Sequence, residues 1–252
     1  MPAKSAISFG LVHIPISLHT ATQDIDIHFN QLHKDDHERI RYKKICGQCG
    51  KEVKTEDIIR GFEYDKDKYV TVTEDDFEKI KTEKEKSMQI LHFANLNQIS
   101  PVYCDKTYHA VPESGGEKAF ELLRKALMEQ QKIAIAKTVL GTKETLLAII
   151  PREDGILIQT MFFEEEVKSL PHGYKRPEVA DAELEMAKTL IASMDKPFDS
   201  ENYHDEYQQK LKAMIQDKID GKEIVEPKET ITTIVDIMEA LKQSVELAKK
   251  GA

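Results

Sequence analysis

The sequence predicts an α+β protein, β-rich over residues 1–177 and helical beyond. Three observations lead there. Short β-branched runs bounded by turn residues recur up to residue 163. After Pro177 the apolar positions shift to helical spacing. The 252 residues, 40% of them hydrophobic, suffice for a sizeable core.

The elements follow in chain order. Residues 7–11 and 14–18 have strand composition, with Pro15 near the start of the second, where a missing donor is tolerated. Residues 39–45 alternate basic with apolar or aromatic over their first five positions, which predicts a strand with one packed and one charged face. Residues 69–73 read as a strand entering a helix, whose carboxylates at Glu74, Asp75 and Asp76 suit the positive end of the helix dipole. Residues 117–130 place Phe120, Leu123 and Leu127 at helical spacing. Residues 133–140, 145–150 and 156–163 form a run of strands, with turns at 141–144 and 151–155.

Beyond Pro177, taken as a first-turn proline, Val179, Leu184, Ala187, Leu190 and Ile191 line one helix side. Pro197 breaks that helix, Asp199 or Ser200 caps the next, and Gly221 stops it. A linker at 226–229 precedes a final amphipathic helix carrying Ile231, Ile234, Ile237, Met238, Leu241, Val245 and Ala248. This divides the chain at 1–177, 178–221 and 222–252.

Charge is distributed unevenly. The net charge is −9. Residues 177–252 hold ten lysines against seventeen acidic residues. Residues 30–54 and 117–152 each hold seven basic against four acidic residues. A phosphate contact requires a local basic surface and not a basic protein. Arg39, Arg41, Lys43 and Lys44 form the densest basic cluster, and Lys132, Lys137 and Lys143 lie along the second segment. Solvated surface is the alternative for any one of them.

Three cysteines make no disulfide framework and fit a reducing, cytosolic setting. Cys104 stands apart and is expected to be buried and inert. The first residues read as a strand and not a leader, since His13 and Pro15 interrupt the apolar run. No tract reaches the about 18 apolar residues of a membrane helix. His33, His37, Cys46 and Cys49 have spacing suited to a closed structural zinc site. Two surface histidines beside a reduced dithiol are the other reading, and the spacing leaves both open.

Catalytic signatures are lacking: there is no P-loop, dinucleotide fingerprint, H-E-x-x-H or G-x-S-x-G. An acidic run at 164–166 admits a metal-dependent nuclease. The cysteines admit a zinc-containing regulator, although the helix predicted nearest to them is acidic.

Several tags in order resemble the bacterial Ku family. They are SAISFGLVHIPISL at 5–18, LHK at 32–34 followed by RIRY at 39–42, IRGFEY at 59–64 and EMAK at 185–188 with Leu190 and Ile191 after it. FD at 198–199 with YHDEY at 203–207, and IMEALKQS at 237–244, complete the set. The resemblance implies a β-barrel core whose two copies close into a ring around duplex DNA, sequence-independently and without enzymatic activity. It implies that the helices after the core embrace the second copy. It also implies that the final helix, through Ile234, Ile237, Met238, Leu241 and Val245, recruits the ATP-dependent DNA ligase of end joining. Lys4 matches a basic residue found before the family's opening strand. No cofactor is required on this reading, and a structural zinc is compatible with it. Many members carry a lysine-rich tail after the final helix. No function of such a tail is expected from the residues here, which run to Lys249, Lys250, Gly251 and Ala252.

Overall fold

The computed structural model describes residues 3–80, 87–140, 143–171 and 175–222, with Leu241 and Ser244. It divides into two compact units, Met1–Leu170 and Pro171–Ala252.

Seven strands of the first unit close a barrel. They are β1 (Ala3–Phe9), β2 (Val12–Thr20), β5 (Met88–Ala94), β6 (Cys104–Pro112), β7 (Ile133–Leu140), β8 (Lys143–Arg152) and β9 (Gly155–Met161), in spatial order β1-β2-β6-β9-β8-β7-β5. Every neighbouring pair is antiparallel except the closing one, where β1 runs parallel to β5 through Ile7–Met88 and Ser8–Gln89. A separate hairpin of β3 (Arg60–Asp65) and β4 (Lys68–Val72) precedes α1 (Glu74–Ile80). Helix α2 (Glu117–Glu129) lies between β6 and β7 in sequence.

Alternation along the strands makes the core. Ile14, Ile16 and Leu18 of β2, Leu147 and Ile149 of β8, and Ile156 and Ile158 of β9 are buried at every second position and share one cluster. Helix α2 adds Phe120, Leu123 and Leu127 to it, as their spacing predicts. The opposite faces of β7 to β9 form a smaller cluster of Ile133, Ile135, Ala148 and Met161. Ile149 and Ile158 face each other across β8 and β9, both at 0% exposure. Ile149→Ala should therefore destabilise the barrel by about 2–5 kcal/mol. A lowered urea midpoint checks this, and an unchanged midpoint contradicts it.

The first hairpin turns on Gly10, whose φ of 59° suits glycine, and leaves Leu11 fully exposed. Helix α1 starts with a reciprocal cap: the Thr73 amide donates to Asp76 at 2.9 Å, and the Asp76 amide donates to the Thr73 hydroxyl at 3.3 Å.

In the second unit, α3 (Asp181–Met194) begins later than Pro177 predicts. Glu183 reaches back to accept the Ala180 amide at 3.1 Å, which fixes the start there. Helix α4 (Glu206–Ile219) is capped by Asp205, which accepts the Gln208 amide at 2.8 Å. The expected cap Asp199 instead closes a single turn at Ser200–Asn202, beside stacked Phe198 and Tyr203. Gly221, at φ 74°, follows α4. Neither α3 nor α4 buries a residue.

Candidate nucleic-acid interface

Residues 39–45 do not form the expected strand. Only isolated bridges occur there, Leu32 with Arg39 and Ile45 with Glu52, each closing a tight turn. The expected packed face is open as well: Ile40, Tyr42 and Ile45 are all exposed. The alternation holds from Arg39 to Lys43, but among the described residues no neighbouring strand runs alongside it. The ends of the segment spend their backbone groups on the two turns: the Ile40 amide donates to Gln31 at 2.9 Å, and the Lys44 carbonyl accepts from Val53 at 2.8 Å.

This leaves a basic ridge between two turns. Among the described residues Arg39, Arg41 and Lys44 make no ion pair. Lys43 is held by Glu52 at 2.7 Å. The Tyr42 hydroxyl donates to Gln31 while its ring stays in solvent.

The second basic set lies at and along the β7–β8 hairpin, and each of its members is tethered. Lys132 Nζ donates to the Asn95 side chain at 2.7 Å. Lys137 pairs with Glu144 at 2.9 Å and lies over the Phe163 ring at 5.4 Å. The β7–β8 register makes that pair, setting Val139 opposite Glu144. Lys143 pairs with Glu166, and the Glu166 carboxyl is lowered below its ordinary range by that ammonium and then by the Phe163 amide. Lys4 on β1 lies 3.5 Å from Glu113. Exposed pairs of this kind contribute about 0–1 kcal/mol, so a phosphate can displace the carboxylate.

The acidic run forms a single turn at Glu164–Glu166. Glu164 accepts from the Tyr103 hydroxyl, whose pKa it raises, and Glu166 is committed to Lys143 and the Phe163 amide. These carboxylates serve the fold. α1, the acidic helix near the cysteines, has the sequence EDDFEKI, poor material for a DNA recognition helix.

The four candidate zinc ligands sit on the two turns. His33 and His37 belong to the first, Cys46 and Cys49 to the second. Among the described residues no three His, Cys, Asp or Glu side chains converge on one point. His33 Nδ1 lies 2.9 Å from Asp36 Oδ1. The Cys46 thiol is lowered by the backbone amides of Cys49 and Gln48 and then by the Cys49 side chain. Cys104, expected to be buried, is exposed at the start of β6.

Of the predicted partner-binding residues, Leu241 is helical and half-buried. Ile234, Ile237, Met238 and Val245 lie outside the described residues.

The β3–β4 hairpin carries a surface that was not anticipated. Phe62, Tyr64, Tyr69 and Val70 are all exposed, and Phe62 pairs with Val70 across the strands. The period-two spacing of Arg60, Phe62 and Tyr64 is the signal that marks it. No residue in 21–77 with a described side chain is buried.

The sequence profile of the Ku70/Ku80 beta-barrel domain matches residues 8–186. The chain is 66% identical over 249 residues to the "Non-homologous end joining protein Ku" of Lachnoclostridium phytofermentans, covering 98% of this chain and 96% of that one. Proteins of the same name from Archaeoglobus fulgidus and Bacillus subtilis are 40% and 37% identical, each over 98% of this chain and over 98% and 82% of their own.

Proposed function

This chain belongs to the Ku family, and on that footing we propose that it binds double-stranded DNA ends in non-homologous end joining, as a homodimeric ring without enzymatic activity of its own. The observation that carries this reading is similarity to end-joining Ku proteins over 98% of the chain, across the barrel and the helices after it.

The apolar surface supports the dimer. A lone copy exposes Phe62, Tyr64 and Tyr69 on a two-stranded hairpin, and such a hairpin is marginal unless something covers it. Ile191 and Met194 of α3 and Tyr207 of α4 are likewise exposed. A second copy covering these faces removes apolar surface of a kind that rarely stays in water on a monomer.

Binding on this reading rests on phosphate contacts from Arg39, Arg41 and Lys44, with Lys4, Lys43, Lys132, Lys137 and Lys143 joining once released from their carboxylates and from Asn95. Such contacts give affinity without reading sequence. The acidic C-terminal third adds no attraction for DNA and leaves the task to the two basic segments. An ATP-dependent DNA ligase is the proposed partner of the final helix, and the working place is the cytoplasm, at the nucleoid. No helix among the described residues is long and apolar enough to cross a membrane.

Light scattering on the free chain tests the assembly. The expected mass is twice the 28.8 kDa of one chain. A monomer at micromolar concentration rules out the ring.

A further inference from the structure

The two turns that flank the basic ridge are one structure made twice. In the first, the His33 amide donates to Glu38 at 2.8 Å, the His37 amide to His33 at 2.9 Å and the Ile40 amide to Gln31 at 2.9 Å. In the second, the Cys46 amide donates to Lys51 at 3.0 Å, the Gly50 amide to Cys46 at 2.9 Å and the Val53 amide to Lys44 at 2.8 Å. Each is closed by one bridge, Leu32 with Arg39 and Ile45 with Glu52. Each has a left-handed corner, His37 at φ 57° and Gly50 at φ 67°. Thirteen residues separate every corresponding pair.

That correspondence reassigns the ligands. Cys46 and Cys49 occupy the first and fourth positions of their turn, and the matching positions of the other turn are His33 and Asp36. His37 matches Gly50, a corner residue whose place is set by backbone conformation. The donor atoms are also arranged for a metal. Cys46 and Cys49 stand on one turn, which the Gly50 amide closes onto the Cys46 carbonyl at 2.9 Å. Asp36 Oδ1 accepts the Glu38 amide at 3.0 Å and lies 2.9 Å from His33 Nδ1, where a cation can replace the proton the two share.

We propose that the two turns are the two halves of one structural zinc site with ligands His33, Asp36, Cys46 and Cys49. Two thiolates, an imidazole and a carboxylate make up a tetrahedral set of zinc donors. Among the described residues the two pairs do not converge on one point. The ion draws one turn onto the other, and no packing resists it, because no residue in 21–59 is buried. Zinc would then stand in for the core that this segment lacks and would fix the ridge from Arg39 to Lys44 between its two halves. The proposal is independent of the DNA reading: a metal-free chain that binds ends sinks the site and leaves the ring untouched.

The test uses the full chain, purified without a metal-affinity tag. Elemental analysis should give about one zinc per chain. His37→Gly should keep the zinc, since glycine suits that corner, whereas Asp36→Asn and Cys46→Ser should lose it. Asp36→Cys guards against a folding artefact. It should keep the metal and, after replacement by cobalt, raise the thiolate-to-metal absorption by about half, as three thiolates replace two. Zinc should also slow proteolysis within 21–59, and a chelator should restore the faster rate. A wild-type chain that takes up no zinc overturns the proposal. So does zinc that survives Asp36→Asn but is lost in His37→Gly, or an unchanged cobalt spectrum in Asp36→Cys.

Discussion

Reversing charge at Arg39, Arg41 and Lys44 together lowers affinity for duplex DNA on the order of a thousandfold, equally for unrelated sequences. These three bases carry no ion pair among the described residues, so they meet phosphate without first releasing a carboxylate. A hydrogen bond to a charged group contributes about 1.5–3 kcal/mol, about tenfold in affinity or somewhat more for each contact. Losing three contacts should also flatten the dependence of log affinity on log salt by about 2.7 units. Lys137→Glu and Lys143→Glu should each cost less, because those ammonium groups leave Glu144 and Glu166 before they reach DNA. Fluorescence anisotropy at several salt concentrations, on two duplexes of unrelated sequence, measures both quantities. A folded triple variant with wild-type affinity shows the ridge to be solvated surface. A loss confined to one duplex shows base readout and contradicts phosphate binding.

Deleting residues 229–252 should abolish stimulation of the end-joining ligase while leaving dimer mass and end affinity close to wild type. Apolar residues at 231, 234, 237, 238, 241, 245 and 248 recur at helical spacing, and Pro227 precedes them. A helix with one apolar face, joined by a short linker, is suited to lie in a partner's groove. Among the described residues, each member of the main buried cluster comes from β1, β2, β5 to β9 or α2. The comparison therefore separates two roles. Full ligase stimulation by the truncated chain, or its failure to fold, assigns the helix to the protein's own body.

What was legible in the sequence follows from where the physics is local. β7 to β9 were legible because β-branched runs between turn residues need no knowledge of their partners. Helix α2 was legible because Phe120, Leu123 and Leu127 repeat at its period. β6 was missed, since its mixed sequence CDKTYHAVP takes its place in the barrel from pairing with β2 and β9. β5 was missed because its closure onto β1 joins residues some eighty positions apart, Ile7 with Met88. The period-two pattern of residues 39–43 marks a strand only where another strand runs alongside, and among the described residues none does. At the candidate interface the basic residues were visible but their carboxylate partners were not. Lys137 meets Glu144 only through the β7–β8 register, and Lys4 meets Glu113 only because β2 lies between β1 and β6. The match between the two turns was hidden by chemistry, since histidine and aspartate in one stand where cysteines stand in the other, and only the backbone bonds show it.

Threading of a closed ring onto a free end is the central claim, and topology tests it most directly. A gel-shift compares a linear duplex with a covalently closed circle of the same length and sequence, at the same salt. The expected result is tight binding to the linear form, weak binding to the circle, and recovery of full binding once a restriction enzyme opens that circle. Equal affinity for the two forms would contradict the ring and reduce the protein to a binder of any duplex.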